Sequence, residues 1–473
     1  MSDKKENVFG MIGLGTMGSN LLKNIADNGY ACVGYDNDPK KAEELNKTTR
    51  DSITGYSKLP DFINSLAKPR AVMMLVPAGK IVDSVIDELV PLLDKGDIII
   101  DGGNSHYTDT SRRYKSLEDK GVHFLGMGVS GGEEGARKGP SMMPGGDKEA
   151  YDQVKEILEK VAAHVKGEPT VAFMGKGSAG HFVKMVHNGI EYSLMELIAE
   201  TFAIMKKGLG MEDAAIHDVF QKWNNGRLQS FLLEITKDIF AYKKPGEDHL
   251  LLHDIKDQAK SKGTGKWTSQ VGMEINLPIT AIDVAVSMRD LSKYKDLRVQ
   301  ASKMYPDPKA GKIAENAQDY IPKLENAFYF SMAIAYAQGM HLLHRASKEF
   351  DYGLKLDEVA KIWRGGCIIR AAFLEDIYKA FENDKDLEHL LVDPSIAEHL
   401  KKSVPDLRTV VADTAEHGIS TAVFGNALSY FDSFRSAEMP ANLIQAQRDY
   451  FGAHTYELIG KEGTFHTEWQ GEE

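Results

Sequence analysis

The stretch VFGMIGLGTMGSNLLKNIADNGYACVGYD, residues 8–36, decides the fold of the first part of the chain. Its spacing predicts a strand over Val8–Ile12, a turn built on Gly13, Gly15 and Gly18, a helix over Met17–Asn28 closed by Gly29, and a second strand over Ala31–Tyr35 ending at Asp36. A lone GxGxxG means little in a chain with 43 glycines. Between a strand and a helix, with an acid 18 residues after Gly18, it reads as a turn whose backbone admits a pyrophosphate at a helix N-terminus. Gly13, Leu14, Gly15, Thr16, Met17 and Gly18 are the candidate phosphate-side residues, with Asp36, Asn37 and Asp38 at the ribose end. A glycine-rich turn with no ligand is the plainer reading, and the ordered strand–turn–helix–strand context argues against it.

Further short apolar runs at Ala71–Val76, Ile98–Asp101 and His123–Gly126, separated by helical spacers such as Lys80–Leu93, predict a parallel, doubly wound sheet. Ligands in such sheets lie beyond the carboxyl ends of the strands. That rule draws attention to Val76, Pro77 and Ala78, then to DGGNS from Asp101 to Ser105, then to GVSGGEEG from Gly128 to Gly135, which offers Ser130 and several flexible backbone N–H groups.

From about residue 179 the periodicity becomes helical. In HFVKMVHNGIEY, residues 181–192, offsets of four and seven place Lys184, Asn188 and Glu191 on one helix face. Phe182, Val183, Met185, Val186, Ile190, Leu194 and Met195 make the remaining sides look buried. A solvated charge pair is the ordinary explanation for a Lys and a Glu two turns apart, but an apolar surround leaves no solvated face. General acid/base chemistry is the alternative: a desolvated lysine releases its proton more readily, and a desolvated carboxyl holds one.

A weak repeat follows. The order of a long helix, a Gly-Leu turn, an acidic helix start and an apolar-aromatic helix runs from Asn188 past Trp223, and again from Asn326 past Trp363. Set against the first copy, the second has Pro322 in place of Lys184 and Tyr329 in place of Glu191, so it reads as structural.

Composition sets the outer bounds. The 473 residues are 42% hydrophobic, enough for two or three domains. A net charge of -12 and no basic run argue against nucleic acid as a partner. Two cysteines, Cys32 and Cys367, with no CxxC, give no metal-ligand spacing, and no metal is expected. The start MSDKKEN carries no signal-peptide core, and no apolar run reaches membrane-spanning length, so the chain reads as soluble, cytoplasmic and free of membrane partners.

Together GLGTMG, DGGNS, GVSGGEEGARKGPSMMPGG from Gly128, HFVKMVHNGIEY, KGTGKW from Lys262 and the closing FHTEW resemble the 6-phosphogluconate dehydrogenase family over essentially the whole chain. The resemblance implies an α/β Rossmann-like doubly wound sheet over residues 1–178. It is followed by a large all-α domain with an internal duplication over 179–437 and a C-terminal tail over 438–473 that reaches the partner in a homodimer with a shared active site. It also implies oxidative decarboxylation of 6-phosphogluconate to ribulose 5-phosphate in the pentose phosphate pathway. Lys184 would be the general base and then acid, and Glu191 the general acid. The substrate contacts carried over are Asn104, Ser130, Gly131, Gly132, His187, Asn188, Tyr192, Lys262 and Arg289, with Arg448 and His454 from the partner. The three basic residues among them meet a phosphate and a carboxylate in an otherwise acidic chain. One place departs from the family pattern. NADP-dependent members resemble Asn-Arg-Thr or Asn-Arg-Ser after the second strand, whereas this chain has Asp36-Asn37-Asp38. A carboxylate accepts from the ribose hydroxyls of NAD and repels a 2'-phosphate, so NAD is the expected cofactor, with NADP the alternative because Lys40 and Lys41 lie close by. The rival activity is a non-decarboxylating β-hydroxyacid dehydrogenase acting on a small 3-hydroxy acid, which leaves Glu191, the duplication and the tail cations without a use.

Overall fold

A computed structural model describes residues 6–47, 52–305, 313 and 315–470. The first five residues of the MSDKKEN start and the last three of the tail lie outside the described residues. The chain forms two compact units, Met1–Ala427 and Leu428–Glu473.

The first unit opens with a seven-stranded sheet: β1 (Phe9–Ile12), β2 (Cys32–Tyr35), β3 (Ile53–Tyr56), β4 (Ala71–Met74), β5 (Ile98–Asp101), β6 (His123–Ser130) and β7 (Ser141–Gly146). Their order is β3-β2-β1-β4-β5-β6-β7. The first six run parallel, and β7 pairs antiparallel with β6. The all-parallel expectation is therefore corrected at this edge. β6 runs four residues longer than its apolar pattern suggested, because Met127 and Val129 alternate with glycines rather than with polar residues. Alternate residues feed opposite faces. Met11, Met73, Ile98 and Ile100 join one core with Leu21, Leu22 and Ile25 of the helix Thr16–Asp27, while Val33, Val72, Met74 and Ile99 join another with Phe62, Val82 and Leu117. Each such fully buried side chain stabilises the fold by about 1.5–3 kcal/mol.

The helical part is organised by two long helices. The first, Ala179–Ala203, runs into a π turn, Ile204–Gly208, and is followed by Asp213–Asn224 and Phe231–Ala241. The second, Ala317–Glu349, is followed by Leu356–Trp363 and Phe373–Asn383. The same order thus recurs, as the repeat predicts. The two copies also meet symmetrically. Ahead of the third helix in each, the Phe231 N–H donates to the Arg370 carbonyl and the Ala372 N–H to the Gln229 carbonyl. Trp223 of the first copy packs on Phe328 of the second long helix, and Trp363 of the second copy packs on His187 of the first.

The first long helix begins by crossing β6 and β7 at backbone distance. A Cβ on Gly180 would lie 2.2 Å from both the Gly126 and Met143 carbonyl oxygens, and one on Gly128 would lie 2.4 Å from Lys184 Cβ. Only hydrogen atoms fit at this crossing, so the helix lies on the end of the sheet. Thr110 and His181 Nδ1, 2.7 Å apart, tie the same turn to the helix Tyr107–Glu118. No helix among the described residues is long and apolar enough to cross a membrane.

In the second unit, the helix Ala441–Gly452 is followed by a hairpin of Tyr456–Leu458 against Lys461–Phe465. Asp449 is fully buried and organises it. Its carboxylate accepts from the Thr455 N–H at 3.0 Å, His466 Nδ1 at 2.9 Å, the Thr467 N–H at 3.1 Å and Trp469 Nε1 at 2.8 Å. Desolvation pushes this carboxyl up, but the donors, His466 first, outweigh it and hold it down at about 2. His466 is raised in turn by its bond to Asp449.

Two outcomes follow from this packing. Gly180→Ala forces the long helix off the sheet, and urea unfolding is expected to register a loss of about 3 kcal/mol. In the tail, the ordering from Asp449 is present above the ordinary aspartate pKa of about 3.9 and is lost as the pH falls through about 2. The ordering from His466 is present below about 6.5 and is lost as the pH rises through its raised value. The Trp469 indole N–H signal is therefore expected to be sharpest and best protected between about pH 4 and 6.5 and to weaken on both sides.

Candidate active site

The carboxyl ends of β1, β2 and β4 open onto a groove of about 710 Å³ lined by Gly13, Gly15, Asp36, Asn37, Lys41, Val76, Pro77 and Lys80. Its turn fits a dinucleotide. Gly13 has φ +91° with the Leu75 carbonyl 2.5 Å from where a Cβ would be, and a Cβ on Gly18 would lie 1.9 Å from the Gly13 carbonyl. Gly15 and Thr16 are exposed at the start of the helix Thr16–Asp27, where unpaired N–H groups suit a pyrophosphate, and Met17 sits half-buried behind them. The Leu14 N–H does not point into the groove. It donates to Asp36 Oδ2 at 2.8 Å, while the Asp38 N–H holds Oδ1 at 3.0 Å and Lys41 Nζ reaches Oδ2 at 3.2 Å. Burial pushes the Asp36 carboxyl up, but these three donors bring it below its usual value, so it stays charged. Asn37, Asp38, Pro77 and Ala78 are exposed beside it, and Val76 is half-buried.

DGGNS is built by Asp101, whose buried carboxylate accepts from the Gly103 N–H at 3.1 Å, Ser105 Oγ at 2.6 Å and Arg113 Nη1 at 3.3 Å. Asn104 is left exposed at the tip of this loop.

The polar strip of the long helix is buried, as its sequence suggests. Lys184 is 6% exposed, and its Nζ donates to Asn188 Oδ1 at 2.8 Å, one turn on. His187, fully buried, lies 3.3 Å from Lys184 Nζ and 3.1 Å from Asn188 Oδ1 through Nδ1, and 3.3 Å from Ser130 Oγ through Nε2. Ser130 ends β6, and the strand ends at this helix because Gly128 leaves room for Lys184. Gly131 and Gly132, at φ +127° and +64°, then turn the chain into the helix Gly132–Lys138. Glu191 is half-buried, with its Oε2 4.0 Å from His187 Nδ1. Met195 is 41% exposed, contrary to its apolar reading, while Leu194 and Leu197 on other sides of the same helix are buried.

Burial lowers the Lys184 ammonium pKa, partly offset by Glu191, and raises that of Glu191, partly offset by Lys184 and Arg289. His187 is held far below its usual value by burial and then by Lys184, so its ring is neutral. The result is a lysine biased toward the amine, an acid biased toward keeping its proton, and a neutral imidazole between them. That is the disposition needed to take a proton from one substrate atom and give one to another.

Two more glycines bring KGTGKW to this helix. A Cβ on Gly265 would meet the Tyr192 ring at 2.6 Å, and one on Gly189 would meet Thr268 at 2.6 Å. Thr268 Oγ1 donates to the Met185 carbonyl at 2.9 Å. Arg289 stacks on buried Tyr192, 3.6 Å from the ring centroid, and Lys262 is exposed just ahead of the crossing. In the tail unit, Arg448 is exposed with Nη1 3.1 Å from Gln445 Oε1, and His454 is exposed against the Phe451 ring.

One segment at this centre lies outside the residues selected from the sequence. The turn after Trp363 packs against Ser130: the Ile368 N–H reaches Ser130 Oγ at 3.5 Å, and the Gly366 carbonyl accepts from the Ser141 N–H at 2.9 Å. The position of Trp363 in the repeat was the available signal. Among the described residues the one cluster of potential metal ligands is Glu247, His249 and Asp254, all exposed and remote in sequence from this centre.

Comparison with known proteins agrees with this architecture. Residues 8–184 match the NAD binding domain of 6-phosphogluconate dehydrogenase, and residues 180–469 match its C-terminal domain. A decarboxylating 6-phosphogluconate dehydrogenase of Lactococcus lactis (strain IL1403) is 48% identical over 98% of this chain and 99% of its own length. A Bacillus subtilis (strain 168) relative, named as NADP(+)-dependent and decarboxylating, is 46% identical over 98% of both. Among solved structures, a Plasmodium falciparum 6-phosphogluconate dehydrogenase, described in apo form, with its cofactor NADP+ and with its substrate 6-phosphogluconate, is 44% identical. It superposes with a TM-score of 0.94 over 98% of this chain and 100% of that one. With a nicotinamide-binding sheet, a duplicated helical part and both family regions matched end to end, this chain belongs to the 6-phosphogluconate dehydrogenase family.

Proposed function

We propose that this chain oxidises 6-phosphogluconate at C3 and decarboxylates it, yielding ribulose 5-phosphate and carbon dioxide in the pentose phosphate pathway of the cytoplasm. The observation that carries the reading is the buried Lys184, bonded to Asn188 and adjoining neutral His187, which in turn meets Ser130, in a chain that matches the family over its length. Residues 1–178 serve the cofactor, 179–437 the substrate and subunit contact, and 438–473 a tail reaching the other subunit.

Gly13, Gly15, Thr16 and Gly18 would hold the cofactor pyrophosphate, Asp36 its ribose and Val76–Ala78 its flank. When bound, the nicotinamide supplies the hydride acceptor. Neutral Lys184 accepts the proton of the 3-hydroxyl as C3 is oxidised, giving a 3-keto acid. Protonated Lys184 then donates toward the 3-keto oxygen, drawing in electrons as the carboxylate leaves as carbon dioxide. Glu191, whose carboxyl burial biases toward keeping its proton, delivers it to C1 of the resulting enediol as Lys184 takes back the enol hydroxyl proton, leaving the ketone. Asn104, Ser130, Gly131, Gly132, His187, Asn188 and Tyr192 contact the sugar acid, and Lys262 and Arg289 meet its charged ends. Arg448 and His454 complete the site of the other subunit in a homodimer. Support for the tail's role comes from its exposed apolar surface: Leu443 is 62%, Ile444 60% and Phe451 72% exposed, more than a solvated helix needs.

For the cofactor, the reading is a preference for NAD. Asp36 stays charged, and no arginine follows it. The similar proteins named with NADP favour the second reading, as do Lys41 and Lys80 in the same groove.

Lys184→Ala is expected to lower kcat on 6-phosphogluconate by about 10²–10⁴ while the protein stays folded, and near-normal turnover would remove Lys184 from the base role. Steady-state kinetics with NAD and NADP side by side are expected to give the higher kcat/KM for NAD. A clear NADP advantage overturns that preference without touching the reaction itself.

A further inference from the structure

The second helical copy carries neither the lysine nor the acid, yet its Trp363–Ile368 turn reaches the centre of the first copy. Trp363 is fully buried, with its ring centroid 5.6 Å from that of His187 and the planes at 78°. Among the described residues its Nε1 has no hydrogen-bond partner, and its ring lies edge-on to the imidazole. The turn beyond it is tied down on several sides. Cys367 Sγ lies 3.1 Å from the Trp363 carbonyl, Tyr336 OH donates to the Ile369 carbonyl at 2.6 Å, and the Ser141 hydroxyl donates to the Ile362 carbonyl at 2.8 Å. Gly366, at φ +64°, approaches so closely that its carbonyl lies 2.6 Å from where a Cβ on Gly131 would be. From this fixed turn the Ile368 N–H points at Ser130 Oγ.

The proton arrangement follows from donors and acceptors. Lys184 Nζ donates to Asn188 Oδ1, which sets the carboxamide so that oxygen faces His187. An amide oxygen only accepts, so in the 3.1 Å pair with Asn188 Oδ1 the hydrogen is on His187 Nδ1, which lies 3.3 Å from Lys184 Nζ, an acceptor once that amine is neutral. In a neutral ring Nε2 is then bare, and it accepts from the Ser130 hydroxyl at 3.3 Å, whose oxygen in turn accepts from the Ile368 N–H. The ionisable groups facing the imidazole are Lys184 and Glu191 from its own helix, with Cys367 beyond Lys184 on the turn.

We infer that Trp363 and the Gly366–Ile368 backbone are a positioning element supplied by the second copy, which holds His187 in the Nδ1–H tautomer with Nε2 on Ser130 and so leaves Lys184 beside an uncharged, fixed neighbour. The inference rests on the placing of Lys184 and His187 at the reacting centre, and it assigns a function to the copy that lacks the acid and base. Trp363 touches neither substrate nor reacting atoms in this scheme; it acts through His187.

The test combines nitrogen NMR of the imidazoles with kinetics on the full-length protein. In the ligand-free wild type at pH 7, the His187 signals are expected to show Nδ1 protonated and Nε2 bare. Trp363→Leu is expected to average the two nitrogen signals, to lower kcat roughly 10²-fold with a smaller change in KM, and to shift the acidic limb of the kcat/KM profile. Trp363→Phe, which keeps an aromatic face there, is expected to restore most of the rate and the signals. A wild-type Nε2–H or charged ring overturns the inference. So does a folded Trp363→Leu protein with unchanged signals and pH profile, or one whose activity loss only follows its melting temperature and is not rescued by Phe. If Trp363→Leu does not fold, the wild-type tautomer and the Phe variant still decide. The NMR arm needs no substrate, so its failure is distinguishable from a wrong substrate assignment.

Discussion

The site depends on a contact between two stretches of backbone. Where the first long helix meets β6 and β7, Gly180 faces the Gly126 and Met143 carbonyls with no room for a methyl group. One turn later Lys184 passes over Gly128, and the end of the strand delivers Ser130 to His187. Because the helix lies directly on the sheet, Lys184 and Asn188 are buried and Glu191 half-buried, and the lysine and glutamate move in opposite directions from their ordinary pKa values. Packing at this crossing and chemistry at the strip therefore have one cause. A side chain at Gly180 or Gly128 would lift the helix, readmit solvent and undo both.

The duplication divides labour around that crossing. Each copy lends a tryptophan to the other's long helix, and the two copies pair at the start of their third helices through Phe231 with Arg370 and Gln229 with Ala372. In the first copy Lys184 and Glu191 occupy the inner face. In the second the matching face holds Pro322 and Tyr329, and Tyr329 lies under the Arg227 guanidinium at 4.6 Å. A frame that repeats without repeating its charges can wall a site without competing for its protons.

Much of this was legible in the residues. The glycine turn, the order of strands and helices and the Lys184–Asn188–Glu191 face all follow from local spacing, because a period of 3.6 or 2 is a property of the backbone itself. The edges were less legible. β3 carries threonine and glycine, and β7 serine, proline and glycine, in place of a clear apolar pattern, and their pairing depends on neighbours distant in sequence. Met195 is apolar yet exposed while Leu194 and Leu197 are buried, since burial depends on which side of the helix its neighbours cover rather than on the helix itself. Asp36 was recognisable as the acid after the second strand, but not the three donors already on its carboxylate, one of them the Leu14 N–H of the glycine turn itself.

By itself, then, the sequence determined the fold class, the repeat and the family, all of which are written in short-range periodicity and in motifs of a few residues. Tertiary structure alone decided which groups share a dry space: that His187 is neutral between Lys184 and Ser130, that Trp363 closes on it from more than 170 residues away, and that Asp449 gathers the tail around one carboxylate. The physical reason is that desolvation and hydrogen-bond partners are properties of a place in the fold, and a place is set by every segment that packs there.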